Sequence, residues 1–254
     1  MNKTYETREL LDQYLLFHYG SAHEILPYDF GPVSALDYPK RCAELCLQAA
    51  AKNSDDPLPV NLRALDLGCA VGRSSFELAR SCKEVIGIDF SESFVKAASH
   101  LKEHGQLEYK RTDEGSLNTS LLATAPVDIE RSRVNFEQGD ACDLRDHLSD
   151  FDIVLMANLI DRLPEPEACL TRLSGIIKAG GTLVITSPYT WMEEFTPTEK
   201  WLGGKKEITT LEGLQNKLKS DFEFDEVRDM PFLIREHVRK FQWSVAQASI
   251  WVRK

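Results

Sequence analysis

No stretch of this 254-residue chain holds the ~18–20 consecutive apolar residues that a membrane-spanning helix needs. The opening MNKTYETRELLDQYLL is charged and lacks the apolar core of a secretory leader. Six cysteines (Cys42, Cys46, Cys69, Cys82, Cys142, Cys169) include no CxxC pair, and the six histidines show no HxxH or HExxH spacing, so no metal site is expected. Cys42 and Cys46 fall on one helix face as packed thiols, and unpaired thiols fit a reducing, cytoplasmic setting. Basic charge is also short: 30 Lys and Arg against 40 Asp and Glu leave a net −10. Such a chain repels nucleic acid backbones and acidic membranes unless it carries a local basic patch. Internal repeats and low-complexity tracts are absent.

What is present is alternation. Residues 5–19 have helical spacing through Leu10, Leu11, Tyr14, Leu15 and His18, and PKRCAELCLQAAAK predicts a second helix. NSDDPLPVN reads as a linker, dividing residues 1–60, a helical lid or substrate cap, from a 61–254 catalytic domain. Beyond it, LRALDLG, EVIGIDF, RVNFEQGD, DFDIVLMANL and AGGTLVITS read as strands separated by helices, Ser91 serving as one N-cap. Residues 106–133 interrupt this rhythm as a polar, charge-mixed insertion. Thr209 to Glu212 is a capping box, and FEFDEVRDMPFLI and FQWSVAQASIWVR predict a final antiparallel pair. The expectation is an α/β, Rossmann-like, seven-stranded and mostly parallel sheet with helices on both faces. Right-handed crossovers then gather the loops after successive strands at one edge, where ligands bind.

The first such loop, in LRALDLGCAVGRSSF, lacks the G-x-G-x-x-G of a dinucleotide site: Ala70 and Arg73 stand where the second and third glycines belong. Asp66, before Gly68 and Gly72, would repel a pyrophosphate by roughly 1–4 kcal/mol per close charge pair. The same carboxylate favours an ammonium or a sulfonium. Asp89, 21 positions beyond Gly68, suits ribose hydroxyls, and Asp140 in EQGDACD suits an adenine amino group. Together they predict S-adenosylmethionine, with S-adenosylhomocysteine as product. Asp66, Gly68, Cys69, Gly72, Arg73, Asp89, Phe90, Asp140, Ala141 and Asn158 form the expected cofactor set. The order D-x-G-x-x-x-G, strand-two Asp, GDA resembles the class I methyltransferases.

Later edge loops offer Asp161 and Arg162 in ANLIDRLPEP, and Tyr189, Trp191 and Glu193 in TSPYTWMEEF. If the sixth strand runs parallel, REHVRKFQW adds Arg235, Glu236, His237 and Arg239 to that edge. Aromatics, amides and paired charges beside a methyl donor suggest a small, polar, zwitterionic acceptor.

NLIDRLPEP, SPYTWMEEFTPTEKWLGG, PFLIREHVRKFQWSVAQASIW, YLLFHYG and GPVSALDYPKRCAE resemble the mercaptohistidine N-methyltransferases of ovothiol biosynthesis over nearly the whole chain, least so at 106–133. That resemblance implies a stand-alone enzyme methylating an imidazole nitrogen of 4-mercaptohistidine, with the thiohistidine made by a separate sulfoxide synthase. Asp161, Glu236 or His237 would accept the proton, Tyr189 and Trp191 would wall the ring, and Arg235 or Arg239 would engage carboxylate or thiolate. His18, Tyr19, Arg41 and Arg162 would complete the substrate site. The alternatives are another imidazole, amine or thiol acceptor, or a non-catalytic cofactor-binding partner of such a synthase.

Overall fold

The structure, a computed structural model, describes residues 3–52 and 61–254. The linker expected at NSDDPLPVN, residues 53–61, lies outside the described residues but for its last, Asn61. After a 3-10 turn at Lys3–Glu6 come α1 (Arg8–Tyr19), the four-residue α2 (Ala22–Ile25) and α3 (Tyr38–Lys52). Then β1 (Leu62–Leu67), α4 (Arg73–Leu78), β2 (Cys82–Asp89) and α5 (Glu92–His104) alternate. A hairpin of β3 (Gln106–Glu114) and β4 (Leu117–Thr124) precedes β5 (Val134–Gln138), β6 (Phe151–Ala157), α6 (Pro166–Ile176) and β7 (Ile177–Ser187). The chain closes with α7 (Thr210–Leu218), β8 (Phe222–His237) and β9 (Lys240–Arg253).

Seven strands form one sheet in the order β5-β2-β1-β6-β7-β9-β8. All neighbours are parallel except β9, which runs against both β7 and β8. The central strands are buried on both sides because Leu65 and Leu67 face one apolar layer while Leu62 and Ala64 face the other. The first layer rests on α6 and α7 through Leu173 and Leu214, the second on α1 and α3 through Leu15 and Cys42. Burial of such side chains contributes roughly 1.5–3 kcal/mol each. The order of β1 next to β6 places the topological switch point between them, and ligands belong there.

The expected insertion is ordered. Leu107 and Tyr109 stand opposite Ala123 and Leu121 across the β3–β4 ladder, so one face of the hairpin is apolar and packs on the core beside α1. Gly115, at φ +57° in the turn, supplies the left-handed residue that the reversal needs. The helix read as running through EPEACLTRLSGIIK ends at Ile176, where β7 begins. The last two strands are also far longer than the core they flank: β8 has 16 residues against 7 in β6. At ~3.3 Å per residue the β8–β9 hairpin overruns the sheet edge.

Candidate functional site

A cleft of about 420 Å³ opens at the carboxyl ends of β1, β2, β5 and β6. Its floor is the loop after β1. Gly68 adopts φ +75° and a Cβ there would meet the Leu159 side chain at 3.0 Å, so the turn is tight against the loop after β6. The loop's amides are already committed. Gly68 and Cys69 N–H donate to the Ile88 carbonyl, Ala70 N–H to Asp89 Oδ2 at 2.8 Å, and Gly72 N–H to the Cys69 carbonyl. A pyrophosphate would need those donors free. The loop holds a ligand by shape and by its neighbouring acids instead.

Asp89 ties the loop to the next element, since its Oδ1 accepts the Ser91 N–H at 2.9 Å at the start of α5. Burial pushes its carboxyl up to about 6, with the two backbone hydrogen bonds opposing. Asp66 is 1% exposed and accepts the Ser75 hydroxyl at 2.6 Å; burial pushes it up to about 7. Asp140 accepts the Cys142 N–H and keeps an edge on the cleft, as do Glu6 and Glu194. Against these five acids Arg162 is the one cationic side chain lining the cleft among the described residues. A ligand with an ammonium, a sulfonium and a single carboxylate matches that balance, and a phosphorylated one does not. S-adenosylmethionine fits in size and in charge.

The remaining wall is aromatic. Tyr14, Phe17 and His18 of α1 line it together with Tyr5, Tyr38, Phe94 and Phe195. Tyr14 lies over Phe94 at 4.8 Å between centroids, and Tyr5 meets both rings edge-on at 6.3 and 6.0 Å. The turn bearing Tyr5 is fastened by its carbonyl, which accepts from Ser91 and Ser93 hydroxyls, and by Glu6, which accepts from Glu92 and Ser93 amides. Tyr38 bridges the two halves: its hydroxyl bonds Asn158 Oδ1 at 2.9 Å and Thr186 Oγ1 at 2.6 Å. Asn158 itself sits at φ +52°, held by the Thr186 carbonyl.

Of the residues expected to hold cofactor, Asp66, Gly68, Cys69, Asp89, Phe90, Asp140, Ala141 and Asn158 line the cleft. Two do not. Gly72 is a left-handed N-cap pressed on Phe136, and Arg73 turns away to Glu77 and the His18 carbonyl. Of the expected acceptor residues, His18 and Arg162 line it. Asp161 is 1% exposed behind Arg162, whose Nη1 it binds at 2.9 Å; its Oδ1 accepts no hydrogen bond, and burial holds its carboxyl above the usual range.

The fold places the others away from the cleft. Tyr19 gives its hydroxyl to the Val71 carbonyl, and Arg41 is bound to the Leu36 and Pro231 carbonyls. Tyr189 bonds Gln247, and Trp191 bonds Thr210 and stacks on Trp201, both packed on the α6–α7 layer. The overrun of β8 carries the REHVRK link past the cleft. Only Ile234 reaches it. Arg235 points into a separate polar cavity beside Glu236 and holds the Glu24 carbonyl. Glu236 pairs with Lys240, and exposed Arg239 gives its N–H to His237 Nδ1. Of the aromatics that wall the cleft, the sequence points to His18 alone, although Tyr14 and Phe17 share its helix face, Tyr14 at spacings of three and four from the other two.

No helix is long and apolar enough to cross a membrane, and no three potential ligand side chains gather to hold a metal, both among the described residues. Residues 65–185 match the family of methyltransferase domains. The chain is 27% identical over 161 residues to an ajmaline N-methyltransferase from Rauvolfia serpentina, covering 62% of this chain and 46% of that protein. It is 29% identical over 164 residues to a ubiquinone biosynthesis O-methyltransferase from Cereibacter sphaeroides, covering 62% and 55%. The chain thus spans about half the length of the curated relatives it matches. Among solved structures, a magnesium protoporphyrin IX methyltransferase from Synechocystis with bound S-adenosylmethionine superposes at a TM-score of 0.55, with 14% identity over 98% of both chains. An N-methyltransferase from Bradyrhizobium japonicum in complex with S-adenosylhomocysteine superposes at 0.53, with 13% identity over 96% of this chain and 98% of that one. These likenesses establish the Rossmann-like fold of the class I methyltransferases, and residues 65–185 resemble methyltransferase domains.

Proposed function

We propose that this S-adenosylmethionine-dependent methyltransferase N-methylates a small, flat heteroaromatic acceptor, and that the acceptor is 4-mercaptohistidine. The observation that carries the reading is the division of the cleft into an acidic floor and an aromatic wall with one guanidinium between them. When bound, the cofactor supplies an electrophilic methyl group on a sulfonium. Asp89 and Asp140 would hold its nucleoside, with Asp66 and the Gly68 turn beneath its amino acid end.

This chain's own residues then do three things. Tyr14, Phe94 and Tyr5 form a packed aromatic surface against which a flat ring can lie at low entropic cost. Arg162, whose guanidinium lies 5.1 Å over Phe195, is placed for the acceptor's carboxylate or thiolate, and buried Asp161 fixes its orientation. The turn at Lys3–Glu6, fastened to the start of α5, sets Tyr5 beside those rings and would shield a bound acceptor from water. An imidazole nitrogen is already nucleophilic, so alignment carries most of the rate, up to ~7–11 kcal/mol in well-oriented systems. In this reading residues 1–60 cap the acceptor and 61–254 hold the cofactor. All six cysteines are free thiols, which fits a reducing, cytoplasmic setting.

A second reading has its own support. With seven aromatic side chains and one cation lining the cleft, a less polar aromatic amine would also be accommodated. Mass spectrometry of an incubation with the donor and equal amounts of mercaptohistidine, histidine and aromatic amines separates the two. Methylated mercaptohistidine as the dominant product is expected. A methylated amine with mercaptohistidine untouched would replace this acceptor by the other.

A further inference from the structure

His18 occupies the last turn of α1, four residues beyond Tyr14, and lines the cleft. Its ring lies 5.9 Å from that of Tyr14 and 5.4 Å from that of Phe17. Nδ1 is buried with no hydrogen-bond partner, and Nε2 bonds to no described residue either. Because Nδ1 is sealed, Nε2 is the polar edge left to face the cleft. The helix end cannot easily turn it elsewhere: the His18 carbonyl accepts Arg73 Nη1 at 3.2 Å, and Arg73 is itself held by Glu77 at 2.8 Å. Burial, with the Arg73 charge nearby, pushes the imidazole down to about 3, so the ring is neutral across the physiological range.

A phenylalanine would fill this place without leaving polar atoms unpaired. An unpartnered polar group costs stability, and at Nε2 a ligand N–H can supply the missing partner while the ring proton stays on sealed Nδ1. Set between the rings of Tyr14 and Phe17, His18 offers a ring nitrogen that can tell one edge of a bound ring from another.

We propose that His18 is a positioning residue for the acceptor, its open ring nitrogen taking the hydrogen bond of one heteroaromatic N–H so that the opposite, bare ring nitrogen faces the methyl donor. This rests on the reading of the acceptor as a nitrogen heterocycle. It assigns the choice of methylated nitrogen to the N-terminal helix and leaves the sheet edge no part in it. A neutral imidazole with so little affinity for a proton holds the N–H without removing it, and the proton departs to solvent after the methyl has moved.

The test uses the full chain as wild type, His18→Phe and His18→Gln. Calorimetry with S-adenosylhomocysteine comes first, and similar affinity in all three shows that the cofactor half is intact. Mercaptohistidine is then titrated into the three saturated proteins. Binding to His18→Phe is expected to weaken about tenfold or more, while His18→Gln, which keeps a hydrogen-bonding amide, stays within roughly threefold. KM should rise more than kcat falls, and His18→Phe should yield both ring-nitrogen isomers where wild type yields one. Unchanged affinity and a single isomer from His18→Phe would overturn the proposal. If wild type does not bind mercaptohistidine, the acceptor assignment fails, and imidazole and benzimidazole are titrated in its place. A loss confined to His18→Phe then upholds the role of His18, and equal or absent binding in all three ends it. Nitrogen NMR of the wild-type His18 ring needs no variant: its Nε2 resonance should move on ligand addition, and an unmoved resonance counts against the proposal.

Discussion

The two halves of the cleft are built by different rules. The cofactor half hangs from strand ends: Asp66 is the penultimate residue of β1, Asp89 the last of β2, and Asp140 stands just past β5. The acceptor half hangs from elements outside the alternating core, with Tyr5 on a 3-10 turn, His18 on α1 and Tyr38 at the start of α3. A strand end leaves a side chain little freedom of place, whereas a helix can rotate or slide before its ring meets another. On the proposed function, the first half can serve many acceptors unchanged and the second sets which one is taken.

The largest expected effect strikes the cofactor half alone. Asp89→Ala removes the acceptor of two backbone N–H groups as well as the expected ribose contact. Affinity for S-adenosylhomocysteine should fall about 100-fold, at roughly 1.5–3 kcal/mol per lost hydrogen bond to a charged group. Calorimetry within threefold of wild type would place the nucleoside elsewhere and erase the division.

Next in size is a pH effect confined to the same half. Burial raises Asp66 to about 7 and Asp89 to about 6 from 3.8, so the fold favours their protonated forms. That contribution to apoprotein stability is whole below about pH 4 and is lost as the pH rises through about 6 and then about 7. Binding of a cation runs the other way, because it favours the ionised carboxylates. Affinity for S-adenosylmethionine should rise up to roughly tenfold between pH 5 and 7.5. S-adenosylhomocysteine, which lacks the sulfonium charge, should show a shallower slope. Asp66→Asn should remove the upper part of the rise, and equal slopes for the two ligands would remove Asp66 from the sulfonium's surroundings.

Much of this architecture is legible in the chain before any coordinates. Alternating buried strands and helices give the seven-stranded sheet, and the missing glycines at Ala70 and Arg73 already argue against a dinucleotide. The hydrogen bonds spent within the loop supply the reason. What the chain hides is length and rotation. Alternation marks β8 and β9 as strands but does not reveal that their hairpin overshoots, so Arg235, Glu236 and His237 read as edge residues when they lie beyond it. Tyr189 and Trp191 follow a strand end as Asp89 does, yet their long side chains turn to Gln247 and Thr210. Tyr5 and Tyr38 gave no signal, because nothing local says that a turn and a helix start will meet over Asn158 and Phe94.

Tyr38 is where the halves touch, and its hydroxyl sharpens the comparison. Tyr38→Phe leaves Asn158 Oδ1 with its 3.4 Å contact to Thr186 Oγ1, which still accepts the Asn158 N–H at 3.2 Å. The loss should be about 1–3 kcal/mol, a fall of several degrees in Tm by calorimetric scanning. Cofactor affinity should change less than roughly threefold while acceptor KM rises, since the variant loosens the wall more than the floor. A larger loss of cofactor than of acceptor binding would mean that Asn158 serves the floor.

The smallest effect is the most pointed. Glu236 is paired with Lys240 and Gln242, which hold its carboxyl below the usual range, and His237 Nδ1 accepts the exposed Arg239 amide. An acid spent in that way, in a cavity on the far side of α1, has no line to a ring lying against Tyr14 and Phe94. Glu236→Gln and His237→Ala should each change turnover by less than about twofold, the range of exposed substitutions. A hundredfold loss in either, with cofactor binding intact, would mean that the hairpin tip folds back over the acceptor during turnover. The acceptor half would then have a third wall that the resting fold keeps apart from the other two.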